Sequence, residues 1–161
     1  MKPFLFFTYV LLFIGCSRNN SLPPDIPKLY PCRITVTQDG NPLADANVTL
    51  LAKDKSIRYN SASGMTDSNG TVLLRTYGVN GVPIGDYKIV VSKRIEEGAT
   101  EYTDVSGLKQ MKEGTWYSLV ESKFLQETTT PLEIAVVASK NEKIIDVGNA
   151  VHEKQSASPI Q

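Results

Sequence analysis

The chain has 161 residues but only one histidine, two cysteines and one tryptophan, and its 17 basic side chains are cancelled by 17 acidic ones. Each shortage excludes something. With His152 alone, no metal or catalytic site built on two or more imidazoles can form. A Ser-His-Asp triad would have to recruit that histidine from a polar terminal segment, and no Gly-x-Ser-x-Gly turn surrounds a serine. Zero net charge leaves no basic surplus to release counterions, so nucleic acid is not an expected partner. After residue 14 the apolar stretches, such as residues 134–138 and 89–91, are only strand-length, so no later transmembrane helix is expected. The length suits one domain.

What is present begins with an address. Residues 4–14 (FLFFTYVLLFI) form an uncharged apolar run, long enough for a signal-peptide core but short of the ~20 residues that span a bilayer. The run ends in Phe13-Ile14-Gly15-Cys16, which resembles the lipobox of bacterial lipoproteins, although Phe13 stands where leucine is usual. The resemblance implies a signal peptide over 1–15, cleavage before Cys16, and diacylglycerol and palmitate-type chains on that residue. The protein would then be anchored to the cell membrane or outer membrane, facing the periplasm or exterior. Ser17 resembles the residue that follows the lipidated cysteine in outer-membrane sorting. Two or three acyl chains, at ~0.8 kcal/mol per buried methylene, make release from lipid slow.

Once Cys16 is lipidated, Cys32 has no cysteine partner, so no disulfide framework is inferred. Cys32, Ile34 and Val36 alternate with Arg33, Thr35 and Thr37, which puts the thiol on the inner face of a strand. Residues 16–30, with Pro23, Pro24 and Pro27, read as the lipidated N-terminus and an extended tether. Residues 31–150 are the domain and 151–161 a flexible tail.

Within the domain, valine, isoleucine, threonine and tyrosine fill stretches punctuated by glycine and proline, an all-β texture. Strands are expected at 32–37, 46–52, 71–76 and 87–93, with a weak edge strand at 57–61 and a polar hairpin loop at 94–100. Brief pairing is expected at 102–105, a short helix or irregular loop within 107–126, and a terminal hairpin from 131–138 and 143–147. Strands at roughly ten-residue intervals, with no amphipathic helix between them, predict two sheets packed face to face and exclude a parallel sheet.

Three segments then carry a family resemblance: Gly40-Asn41-Pro42-Leu43-Ala44-Asp45-Ala46-Asn47-Val48-Thr49-Leu50, Thr66-Asp67-Ser68-Asn69-Gly70, and Gly85-Asp86-Tyr87-Lys88-Ile89-Val90-Val91. In order and spacing they resemble the carboxypeptidase regulatory-like, transthyretin-like domain, over about residues 31–93. The ending, Thr129-Thr130-Pro131-Leu132 with Val136 and residues 145–147, is similar to the closing hairpin of small secreted lipoproteins of planctomycete-type bacteria. The family implies a Greek-key β-sandwich of about seven antiparallel strands, usually an accessory module without a reaction of its own. The matched residues have structural readings. Gly40 and Gly70 relieve turns, Pro42 fixes φ, Asp67 caps its loop, and Gly85 lets Tyr87 enter the core in the manner of a tyrosine corner.

The transthyretin-like enzymes that hydrolyse 5-hydroxyisourate use clustered histidines and a C-terminal Tyr-Arg-Gly-Ser, and related intradiol dioxygenases hold iron with two tyrosines and two histidines; this chain supplies neither set. Asp67-Ser68-Asn69-Gly70 could offer oxygens to calcium but is too short for an EF-hand and lacks its distal glutamate, so a plain turn is favoured. No cofactor or metal is expected. Glu96, Glu97 and Glu101 could form a carboxylate site, and Trp116-Tyr117 an aromatic platform for a sugar or peptide. The expectation is therefore a non-enzymatic binding or structural module that meets a cell-envelope protein or polysaccharide. The alternatives are an envelope hydrolase using the loop carboxylates and the aromatic pair, or a carbohydrate-binding accessory protein.

Overall fold

The structure is a computed structural model that describes residues 26–56 and 58–155. The predicted signal peptide, the Cys16 lipidation site, most of the tether and the end of the tail lie outside the described residues.

Alternation builds the core. In β1 (Cys32–Gln38), Cys32, Ile34 and Val36 are fully buried, and so are Val48 and Leu50 in β3 (Asn47–Ala52) and Tyr87, Ile89 and Val91 in β8 (Gly85–Ser92). These three strands have the period of two that one sealed face requires, and they meet in one hydrophobic cluster. The first sheet is centred on β1, which pairs with β2 (Asn41–Pro42), β5 (Thr71–Leu73) and β14 (Asn141–Asp146). The second runs β13 (Glu133–Val136), β8, β3, β4 (Ser61–Met65), β6 (Arg75–Thr76), β7 (Val79–Asn80). The expected all-β sandwich is present.

Several expectations need correction. Residues 131–138 and 143–147 do not form a hairpin: β13 pairs antiparallel with β8, whereas β14 crosses to the first sheet and pairs parallel with β1 from Cys32↔Asn141 to Thr37↔Asp146. The antiparallel expectation thus fails for this one pair. The crossing is held by the Asn141 side chain, buried to 7% exposure. Its Oδ1 accepts from Val137 N (2.9 Å), and its Nδ2 donates to the carbonyls of Ser139 (2.8 Å), Val137 (3.1 Å) and Pro31 (3.3 Å). Ile134 and Ile145 can then reach one core from opposite layers. The expected strand 71–76 divides at buried Leu74, giving β5 to one sheet and β6 to the other.

Residues 94–100, expected as a polar hairpin loop, are mostly strand. β9 (Arg94–Glu97) pairs with β12 (Thr115–Ser118), and β10 (Thr100–Thr103) pairs with β11 (Lys109–Lys112), making a two-stranded arm that continues β8 past Lys93. The 107–126 region contains β11, β12 and one 3-10 turn at Ser122–Phe124. Part of the expected tail is also structured, because β15 (Glu153–Lys154) pairs with β12. At the other end Tyr30 is already docked, exchanging two backbone hydrogen bonds of 2.9 Å with Val82. Ser61, expected to end an edge strand, opens β4.

Candidate functional site

The turn residues are held by local chemistry. Asp39 and Gly40, at φ 50° and 74°, link β1 to β2 in a two-residue hairpin where Pro42 lies opposite Thr37. Asp67 Oδ1 accepts from Asn69 N and Thr71 N, both at 2.9 Å, and Gly70 turns with φ 68°. A Cβ on Gly70 would lie 2.5 Å from the Val36 carbonyl oxygen, so close approach as well as φ calls for glycine there. Beyond Gly85, the buried Tyr87 ring sends its hydroxyl to the Pro83 carbonyl at 3.0 Å. Burial pushes the Tyr87 phenol up to about 12. Thr66 was not singled out by sequence: its Oγ1 accepts from Ala46 N (2.8 Å) and donates to Leu43 O (2.6 Å), closing the 43–46 turn.

Trp116 and Tyr117 do not form one platform. As neighbours on β12 they point to opposite faces. Trp116 is 46% exposed and carries the Arg94 guanidinium 5.8 Å from its ring centroid. Tyr117 stacks on His152 at 4.1 Å between centroids, and His152 Nε2 lies 3.0 Å from Glu97 Oε1. The three carboxylates disperse too. Glu96 accepts from Gly114 N at 2.8 Å, Glu97 meets His152, and Glu101 pairs with Lys109 at 2.6 Å. The histidine and carboxylate could exchange a proton, but both are half exposed to water. Cys32 is sealed in the core, and burial pushes its thiol up to about 11, which keeps it protonated near neutral pH. Among the described residues no group of three or more metal-ligating side chains gathers, and no helix is long and apolar enough to cross a membrane.

The arm is the more prominent surface. All eight residues of β10 and β11 are exposed. Tyr102, Val105, Leu108 and Met111 present large apolar groups around its tip, with Trp116 at the base. The tip loop is built on Asp104, whose carboxylate accepts from Ser106 Oγ (2.6 Å), Ser106 N (2.9 Å), Leu108 N (3.0 Å) and Gln110 Nε2 (2.7 Å). The Ser106 hydroxyl bond, followed by the other donors, holds that carboxyl below its ordinary range. The chain direction fixes where the arm stands. β1 runs from the entry at Tyr30 to Gln38, whose Nε2 donates to Leu119 O at 2.8 Å beside the arm base. Seven extended residues, about 20 Å, separate the two ends.

No family model matches the chain, and no curated protein does. Among solved structures, the chain is similar to BcpA, the major pilin subunit of Bacillus cereus, with a TM-score of 0.40 and 19% identity over 75% of this chain. It spans 30% of that pilin's length.

Proposed function

We propose that this is a lipid-anchored envelope protein whose carboxypeptidase regulatory-like sandwich holds the β9–β12 arm away from the membrane to meet an envelope protein or polysaccharide, without catalysing a reaction. The observation that carries this reading is the arm's position, at the far end of β1 from the chain entry, with its apolar tip in solvent. A tether ahead of Tyr30, at up to ~3 Å per residue, would lift the domain clear of lipid headgroups. Apolar side chains arranged around a finger favour a partner that surrounds it over a flat surface. Among the described residues, the half-exposed Glu97–His152 pair is the arrangement that favours a hydrolase instead.

Two measurements test the reading. Mass spectrometry of the mature N-terminus should find an acylated Cys16, and Cys16→Ala should leave the membrane fraction; an unmodified sulfur removes the anchor. A broad hydrolase screen should find no turnover. Activity abolished by His152→Ala or Glu97→Gln would replace display with catalysis.

A further inference from the structure

The two sheets do not close along the β13–β14 side. Ile89 N donates to Leu132 O at 2.8 Å, so Leu132, Ile134 and Val136 turn their backbones toward β8, and Glu133 and Ala135 turn theirs outward. On β14, Asn141 N and Val147 N bond the carbonyls of Pro31 and Thr37, both at 2.9 Å, which leaves Glu142, Ile144 and Asp146 facing away from β1. Between these edges lies a cleft of about 560 Å³, lined by Lys53, Asp86, Glu133, Ala135, Lys140 and Lys143 among others.

Most charges at this cleft are paired. Glu133 takes Lys53 (2.5 Å) and Lys88 (2.6 Å), and Glu142 takes Lys140 (2.8 Å) and Arg33 (3.8 Å). Two are not. The Lys143 ammonium donates at 2.7 Å to the uncharged Glu133 carbonyl, and the Asp86 carboxylate has no hydrogen bond or ion pair among the described residues. Lys143 thus covers the outward carbonyl that an added strand would use, a device that protects sheet edges from unwanted pairing.

We propose that the cleft binds an extended peptide as an additional strand along β13, with a ligand carboxylate drawing Lys143 off the Glu133 carbonyl and a ligand basic side chain settling at Asp86. An acidic group is needed to uncover the edge, so the guarding lysine becomes the selectivity element. The ladder matches the four residues of β13. This site goes beyond display by the arm: loss of the Cys16 lipid would remove the display reading and leave this one intact.

The test uses the whole chain carrying Cys16→Ser, titrated with a Val/Thr-rich hexapeptide bearing one Glu and one Lys, and with its Gln/Gln analogue. Affinity and backbone amide NMR shifts are read together. The charged peptide should bind about tenfold more tightly, as one charge-assisted contact at about 1.4 kcal/mol gives, with shifts at Glu133, Ala135 and Lys143. Lys143→Gln and Asp86→Asn should each reduce that preference, and the double variant abolish it, while keeping the parent's native amide dispersion. Equal affinity for the two peptides, shifts confined to β10–β11, or no binding at millimolar peptide would overturn the proposal.

Discussion

β8 and the arm that extends it are one run of chain in two physical settings. Tyr87, Ile89 and Val91 are fully buried, yet beyond Lys93 the chain stays extended through β9 and β10 without burying a residue. Hydrogen bonds to a partner strand hold both regions, but only the first has a second layer to seal it. The contrast separates what makes a strand from what makes it stable: the ladder sets geometry, and burial at about 25 cal/mol per Å² of apolar surface supplies most of the free energy. An isolated two-stranded ribbon is marginal in water, so the arm depends on its anchorage at β12 and β15.

The largest expected effect sets the regions directly against each other. Leu50→Ala opens a cavity among sealed neighbours and should cost about 2–5 kcal/mol. Leu108→Ala, at a position 64% exposed, should stay within about 0.5 kcal/mol. Urea unfolding of both variants decides it. Comparable losses would mean that the arm belongs to the cooperative core.

A smaller effect sharpens how the core is closed. Asn141→Ala leaves the Val137 amide and the carbonyls of Pro31, Val137 and Ser139 without their side-chain partner where β14 changes layers, and should cost about 1–3 kcal/mol. Thermal unfolding would show it as a drop in Tm. An unchanged Tm would mean that the parallel pairing holds itself.

The same contrast explains what could be read from residues alone. In 32–37 and 87–93 burial imposes strict alternation, so those strands and their inner faces were legible, as were the Asp39-Gly40 and Asp67–Gly70 turns. Of the arm only the brief pairing at 102–105 was legible, realised in β10, because strands exposed on both faces carry no alternation; Lys109-Gln110-Met111-Lys112 resembles a loop in composition. The terminal pair was misjudged for another reason. Residues 133–136 and 141–146 each show strand composition, and a four-residue gap ordinarily means a hairpin. The buried amide of Asn141, indistinguishable in sequence from a turn asparagine, fastens the crossing that leads the second strand to the other sheet. Trp116-Tyr117 was legible as a pair but not as two faces, since within 107–126 a short helix or irregular loop is expected, and only in strand β12 do neighbours point to opposite sides.

The smallest expected effect distinguishes the regions by proton linkage. Glu133, on the outer edge of the sandwich, has its carboxyl pushed down from 4.5 to about 2, first by the hydrogen bond from Lys53 and then by that from Lys88. Because the native pKa lies below the unfolded one, the unfolded chain binds more protons in between. The stabilisation is therefore complete above about pH 4.5 and lost as pH falls through about 2. Asp104 is also lowered, but by donors within six residues of it, at Ser106, Leu108 and Gln110. Lys53, Lys88 and Glu133 lie far apart in sequence and are brought together only by the folded sheet, whereas the Asp104 loop can order and fray without the core. Glu133→Gln should therefore flatten the decline of unfolding stability between about pH 4.5 and 2, by an amount that solvent screening keeps small and high salt reduces further. Asp104→Asn should leave that curve parallel to the parent's and increase amide exchange only at the tip. If Asp104→Asn flattens the curve as much as Glu133→Gln, arm and sandwich unfold as one unit.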